Sequence, residues 1–150
     1  MKQSLGLLLI ALFVTAPVGA TEYDGILGQW TTAEGKSRIV LSKCDAGLCG
    51  EIVWLKVPVY PADDEKGMAG KPKVDRENPD PALRNNPTVG LQVLRGFTTR
   101  RDNVWEDGTV YDPDNGKTYK AKLALENEKT LKVRGFIGFS WIGRTSVWTR

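Results

Sequence analysis

The chain has 150 residues and no histidine, so it lacks the side chain that most often serves as a general base or metal ligand near neutral pH. Its two cysteines are Cys44 and Cys49. Two thiolates without an imidazole make a poor zinc site. An isolated pair so close in sequence, in a chain whose N-terminus reads as an export signal, is a disulfide candidate, with two free thiols as the alternative. Without histidine neither Ser-His nor Cys-His catalysis is open, and a bridge would also occupy both thiols. Carboxylates remain. Asp112 and Asp114 with Asn115-Gly116 look like part of a calcium loop, but the glycine comes too early and no Glu stands at the twelfth position. A turn explains the same residues. Asp63-Asp64-Glu65 reads as a solvated charge run. Asp75 and Asp80, near Arg84, could form an acid/base pair, yet nothing in their spacing brings them together. The sequence therefore assigns no catalytic residue, no metal and no cofactor, and hydrolase or isomerase activity stands third, behind binding and interaction.

The aromatic residues suit binding better. Trp54, Trp105, Tyr111, Tyr119, Phe136 and Trp141, with Phe139, are candidates to line an apolar cavity, as barrels of about eight strands can hold one small ligand. The competing expectation is that these side chains simply fill the interior.

Those residues sit on short strands. No segment sustains a period near 3.6, whereas alternating stretches recur with turn residues between them, the pattern of an antiparallel barrel or sandwich. Gly28 to Thr32, Lys36 to Lys43 and Cys49 to Lys56 are the first three expected strands. If Cys44 lies directly opposite Cys49, Ile39 faces Trp54 and Leu41 faces Ile52 on one apolar face, with Ser42 and Glu51 on the other. A bridge over so short a loop contributes only about 2 kcal/mol. Strands resume at Val89 to Leu94, then at Val104 to Glu106 and Thr109 to Tyr111 around Asp107-Gly108. Thr118 to Leu125 alternates cleanly. Leu131 to Arg134 leads into a Gly- and aromatic-rich turn. Arg144 to Arg150 is a last strand with Val147 on one face and Arg144, Trp148 and Arg150 on the other, placed to close a barrel.

Between the third and fourth strands, Val57 to Pro87 contains six of the eight prolines and no periodicity. Long irregular loops in compact domains are often functional or disordered. This one reads as a tied surface loop or, alternatively, a lid over a barrel mouth. Within it, Asn78 to Arg84 predicts a single helical turn with Asn78 as N-cap, Pro79 first, and an Asp80–Arg84 ion pair.

The N-terminus combines Lys2, an apolar run from Leu5 to Val14 and the small residues Val18-Gly19-Ala20, a bacterial-style cleavable signal peptide. An uncleaved anchor helix is the alternative, but the run is too short to span a bilayer. Cleavage after Ala20 leaves 150 − 20 = 130 residues, one domain over 21–150, and lowers the formal charge from +3 to +2 by removing Lys2. That balance, with no basic run, points to no nucleic-acid partner.

Several stretches together resemble the bacterial family catalogued as domain of unknown function 2147. They are Gly28-Gln29-Trp30, Cys49 to Trp54, Asn78 to Arg84, Tyr111 to Tyr119, Leu131 to Gly135 and Gly143 to Arg150. The resemblance implies an exported protein with a lipocalin-like (calycin) barrel and implies no established activity. By likeness to calycins, Trp30 packs under Arg150 or Arg144 where the barrel closes, a cation–π contact, with Trp148 beside them. The expectation is thus an all-β, small antiparallel lipocalin-like barrel of about eight strands. It would be periplasmic or secreted, and would bind a small apolar or amphipathic ligand or lipid. The alternative is an interaction or envelope-maintenance module acting through surface loops around a filled barrel, with an unknown protein partner.

Overall fold

The computed structural model describes Tyr23 and residues 25–150. The expected signal peptide, residues 1–20, lies outside the described residues. Eight antiparallel strands close into a barrel in sequence order. They are β1 (Gly28–Thr31), β2 (Ser37–Cys44), β3 (Gly47–Leu55), β4 (Gln92–Arg101), β5 (Val104–Asp112), β6 (Lys117–Asn127), β7 (Thr130–Phe136) and β8 (Gly143–Thr149). Because consecutive strands reverse, the β1–β2, β3–β4, β5–β6 and β7–β8 connections share one end, here called the mouth. The other connections and the lead-in to β1 share the base.

The base is filled. Trp30, Leu41, Leu48, Leu94, Phe97, Trp105, Leu123 and Leu131 are all buried there and in the adjoining wall. Alternation along the strands sends most of these side chains inward and their neighbours out, and a register shift on β4 leaves Val93 and Leu94 both buried. Gly108 lets this packing close: a Cβ there would stand 2.4 Å from the Phe97 ring.

Strands β1 and β8 are paired at only one position, Thr31 with Thr149. Arg150 reinforces that thin seam. Its guanidinium lies 4.3 Å over the Trp30 ring. It donates to the carbonyls of Glu128 (2.7 Å), Leu27 (2.9 Å) and Gly25 (2.5 Å). Trp30 in turn donates from its indole N–H to the Ile26 carbonyl at 2.8 Å. One side chain thus ties the lead-in, the β6–β7 turn and the first strand together.

Cys44 and Cys49 are bonded, but the hairpin register differs from the expected one. Cys44 pairs with Gly47, and Cys49 with Ser42, so the cysteines are diagonal neighbours with Cα atoms 5.9 Å apart. The connection is two residues, with Gly47 at a positive φ of 111°. The shift is by two, which preserves the faces: Ile39 meets Ile52 instead of Trp54. A register irregularity at Arg38/Ile39 then brings Trp54 opposite Arg38, on the outside. The expected break at Asp107-Gly108 is likewise a bulge within one continuous strand: Trp105 pairs with Leu123 and Gly108 with Ala121, one extra residue on β5.

Replacing Arg150 with Ala should remove about 2 kcal/mol, from a cation–π contact and charge-assisted bonds to carbonyls. Thermal unfolding followed by circular dichroism should show Tm falling by roughly 5–10 °C. Arg150→Lys should recover only part of this, because an ammonium cannot fork between three carbonyls.

Candidate functional site: a hollow barrel mouth under a tied loop

Toward the mouth the interior is not filled. A cavity of about 870 Å³ opens there. Its apolar wall is Ile39, Ile52, Val93, Val110 and Val133, with Trp148 toward the base. These come from six strands, each contributing one inward-facing position, so the hollow belongs to the barrel and not to a crevice between loops.

The residues between β3 and β4 form one side of this cavity. Tyr60, Val74 and Thr88 line it from the loop. The loop is tied internally by two isolated bridges, Val59–Pro72 and Val74–Pro87. The Tyr60 hydroxyl donates to the Val74 carbonyl at 2.9 Å, and the Arg76 guanidinium stacks 4.0 Å over the Tyr60 ring. Arg76 also pairs with Asp64 at 2.7 Å and with Glu77 at 3.3 Å, and Lys66 pairs with Glu77. A surface loop and a cover for the mouth are therefore the same object.

The loop docks onto the barrel through Asp75. This carboxyl is fully buried. It accepts from the Tyr111 hydroxyl on β5 at 2.6 Å and from the Asn78 side-chain amide at 2.6 Å. Burial, and then the Asp75 carboxyl beside it, push the Tyr111 phenol well above its ordinary value. A second close approach occurs at Gly116, where any Cβ would collide with the Glu77 carbonyl. The helical turn is shorter and later than expected: Asp80 caps it by accepting from the Ala82 amide at 2.9 Å, and Pro81 comes first. The expected Asp80–Arg84 ion pair is not formed. Asp80 faces its own turn, and Arg84 donates instead to the Asn78 carbonyl at 2.8 Å.

The six candidate ligand-binding aromatics separate into four groups. Tyr111 and Tyr119 line the mouth cavity. Trp105 lies in the packed base, its indole N–H without a protein partner. Trp54 faces out, 39% exposed, with Arg38 at 4.7 Å over its ring. Phe136 and Trp141 border a separate hollow of about 520 Å³ on the outer face of β5 and β6. Trp141, 72% exposed, stacks on Phe139 with ring centres 4.5 Å apart. The Arg134 guanidinium fixes this tip by donating to the Ser140 carbonyl at 2.6 Å and the Trp141 carbonyl at 3.2 Å. Of the four residues expected at the closure, Trp30 and Arg150 meet at the base. Trp148 is buried, and its indole N–H donates to the Ser146 hydroxyl at 3.0 Å. Arg144 is at the opposite end, lining the mouth cavity, because β8 runs from mouth to base.

Sequence reasoning missed the aliphatic wall and the buried Asp75. The wall was open to view as the alternating inward positions of each strand. Asp75 carries no local signal, since its partner Tyr111 lies 36 residues away. Among the described residues, no cluster of three or more Cys, Asp or Glu is placed to hold a metal ion. No helix among them is long and apolar enough to cross a membrane.

A closed eight-stranded antiparallel barrel, packed at the base and hollow at the mouth, defines a lipocalin-like protein. The chain belongs to the family described as "Uncharacterized protein conserved in bacteria (DUF2147)", whose model matches residues 28–150. Among solved structures it resembles protein HP1028 from Helicobacter pylori, which is described as belonging to the lipocalin family. The TM-score is 0.69 at 22% identity, over 83% of this chain and 81% of that one. At that identity the likeness is one of fold. No match was found among the curated proteins.

Two outcomes are expected of the docked loop. Tyr111→Phe leaves the buried Asp75 carboxyl short of a donor, at a cost of about 1–3 kcal/mol. Limited proteolysis should then cut between residues 57 and 87 faster than in the parent, with the barrel intact. Acid should have a similar effect. The Met68 amide and Arg76 hold Asp64 below the usual carboxylate range, and Lys66 holds Glu77 below it. Lowered folded-state values mean that this stabilisation is complete above about pH 4. It is lost as pH falls below that value, through the depressed folded-state range. Amide NMR signals of the loop should therefore shift below about pH 4, before the barrel signals collapse.

Proposed function

We propose that the protein binds one small apolar or amphipathic molecule, such as an envelope lipid, in the hollow mouth of its barrel. The observation that carries this reading is the cavity of about 870 Å³ walled by inward aliphatic side chains. Small-ligand sites are typically about 300–1,000 Å³, mostly apolar, with a few placed polar groups. The loop from Val57 to Pro87 covers the ligand and excludes water. The reading includes export: removal of residues 1–20 and residence in the periplasm or outside the cell, which the Cys44–Cys49 bridge supports. Likeness to a lipocalin-family fold supports the carrier reading by analogy alone.

One observation favours a second reading, an interaction module acting through its loops. Ile137, Phe139, Trp141 and Ile142 in the β7–β8 connection are all 62–72% exposed, an apolar cluster of the kind that often marks a contact surface.

A single experiment separates the two. Val110→Trp fills the cavity from the wall and leaves the tip untouched, whereas Phe139→Ser with Trp141→Ser does the reverse. Binding of a lipophilic dye, followed by fluorescence titration, should fall at least about tenfold in Val110→Trp and persist in the tip variant. A cavity-filled variant that binds as tightly as the parent contradicts the carrier reading.

A further inference from the structure

One polar stretch of the cavity wall lies where strands β6, β7 and β8 meet near the mouth. Arg144 and Ser146 precede Trp148 at two-residue intervals on β8, so all three share the inward face. Gly135 pairs with Arg144 on one side and with Ala121 on the other. A Cβ at Gly135 would stand 3.5 Å from Val110 and 3.8 Å from Tyr119. With no side chain, Gly135 leaves a notch in the wall. Tyr119 flanks it from β6, and Arg144 and Ser146 from β8.

The notch offers donors. Ser146 already accepts from the Trp148 indole at 3.0 Å, so its hydroxyl hydrogen is left to give. Tyr119 accepts from the Asn115 amide at 3.0 Å, and its phenolic hydrogen is likewise left. A guanidinium has N–H groups and no acceptor.

Charge points the same way. Most of the acids that line the cavity are already engaged. Glu34 pairs with Lys36 at 2.7 Å, and Asp64 and Glu77 pair with Arg76. Asp112 accepts from the Asp114 amide and the Asn115 side chain within its own turn. Arg144 and Lys73 line the same cavity, and neither side chain takes part in an ion pair among the described residues. A mostly apolar hollow with unpaired cations and a notch that presents a guanidinium and two free hydroxyl hydrogens matches a molecule with an apolar body and an anionic end.

We propose that the ligand is a single-chain amphiphile with a compact anionic head group, either a carboxylate or a phosphate monoester. Arg144, Ser146 and Tyr119 receive its oxygens at the Gly135 notch, and its chain runs toward the base between Ile52, Val110 and Val133. Lys73 on the covering loop supplies a second positive charge from above. This assignment rests on the carrier reading and adds the chemistry of the head group.

The test compares three probes of equal chain length, dodecanoate, dodecyl phosphate and dodecanol, by isothermal titration calorimetry on the purified protein with the disulfide intact. Either anion should bind at least about tenfold tighter than the alcohol, the advantage of charge-assisted bonding, and the tighter anion identifies the head group. Arg144→Met should abolish most of that advantage by weakening the anions far more than dodecanol. Arg144→Lys should retain part of it. Because the Arg144 side chain makes no hydrogen bond or ion pair to another described residue, both variants should keep the parental Tm. Equal affinity for anion and alcohol, or an Arg144→Met protein that keeps its preference, overturns the head-group assignment and leaves the carrier reading in place. Failure of all three probes to bind overturns both.

Discussion

Arg150 lying across Trp30 is the contact that the rest of the barrel depends on. Every other neighbouring pair of strands is joined at three or more positions, but β1 and β8 share one. The guanidinium substitutes for the missing ladder by binding three carbonyls from two segments while covering the indole. Because the clamp is at the base, the large side chains gather there: Trp30, Phe97, Trp105 and the leucines of β2, β3, β4, β6 and β7. Toward the mouth the apolar interior positions carry smaller branched residues, Ile39, Ile52, Val93, Val110 and Val133, which leave the barrel axis open. A barrel closed tightly at one end is thereby left hollow at the other.

The covering loop follows from that hollow. An open apolar mouth is unfavourable in water, and the segment between β3 and β4 lies over part of it. Prolines fix much of its backbone and reduce the entropy lost on ordering. Buried Asp75 supplies one directional bond to the barrel, and the Asp64–Arg76–Glu77–Lys66 network braces the loop internally. The attachments are few and polar, whereas the base is held by packed aromatic and aliphatic side chains. The two ends therefore differ in the kind of force that holds them, and the mouth is the end expected to open.

Much of the barrel was legible in the sequence because period-two alternation is a local property. Thr118 to Leu125 and the final strand carried it clearly, and the glycine- and proline-rich segments marked the connections. The disulfide was legible from spacing and compartment. What failed depended on distant or sub-residue geometry. The hairpin register was shifted by two because diagonal cysteines bridge as well as directly opposed ones, and a bulge turned Trp54 outward. The candidate lining was chosen by aromatic character, which drew in Trp54, Phe136 and Trp141. The cavity instead uses aliphatic residues, whose inward direction only the closed sheet specifies. Asp75 drew notice only as a possible acid partner of Asp80, a pairing that nothing in their spacing supported. Its partner proved to be a tyrosine on β5.

The central claim is that the hollow mouth is occupied in the cell. Native mass spectrometry of the protein purified from its own envelope fraction, followed by solvent extraction, tests it directly. A stoichiometric adduct that extracts as an apolar or amphipathic molecule is the predicted result. A bare mass, unchanged after incubation with envelope lipids, would contradict it.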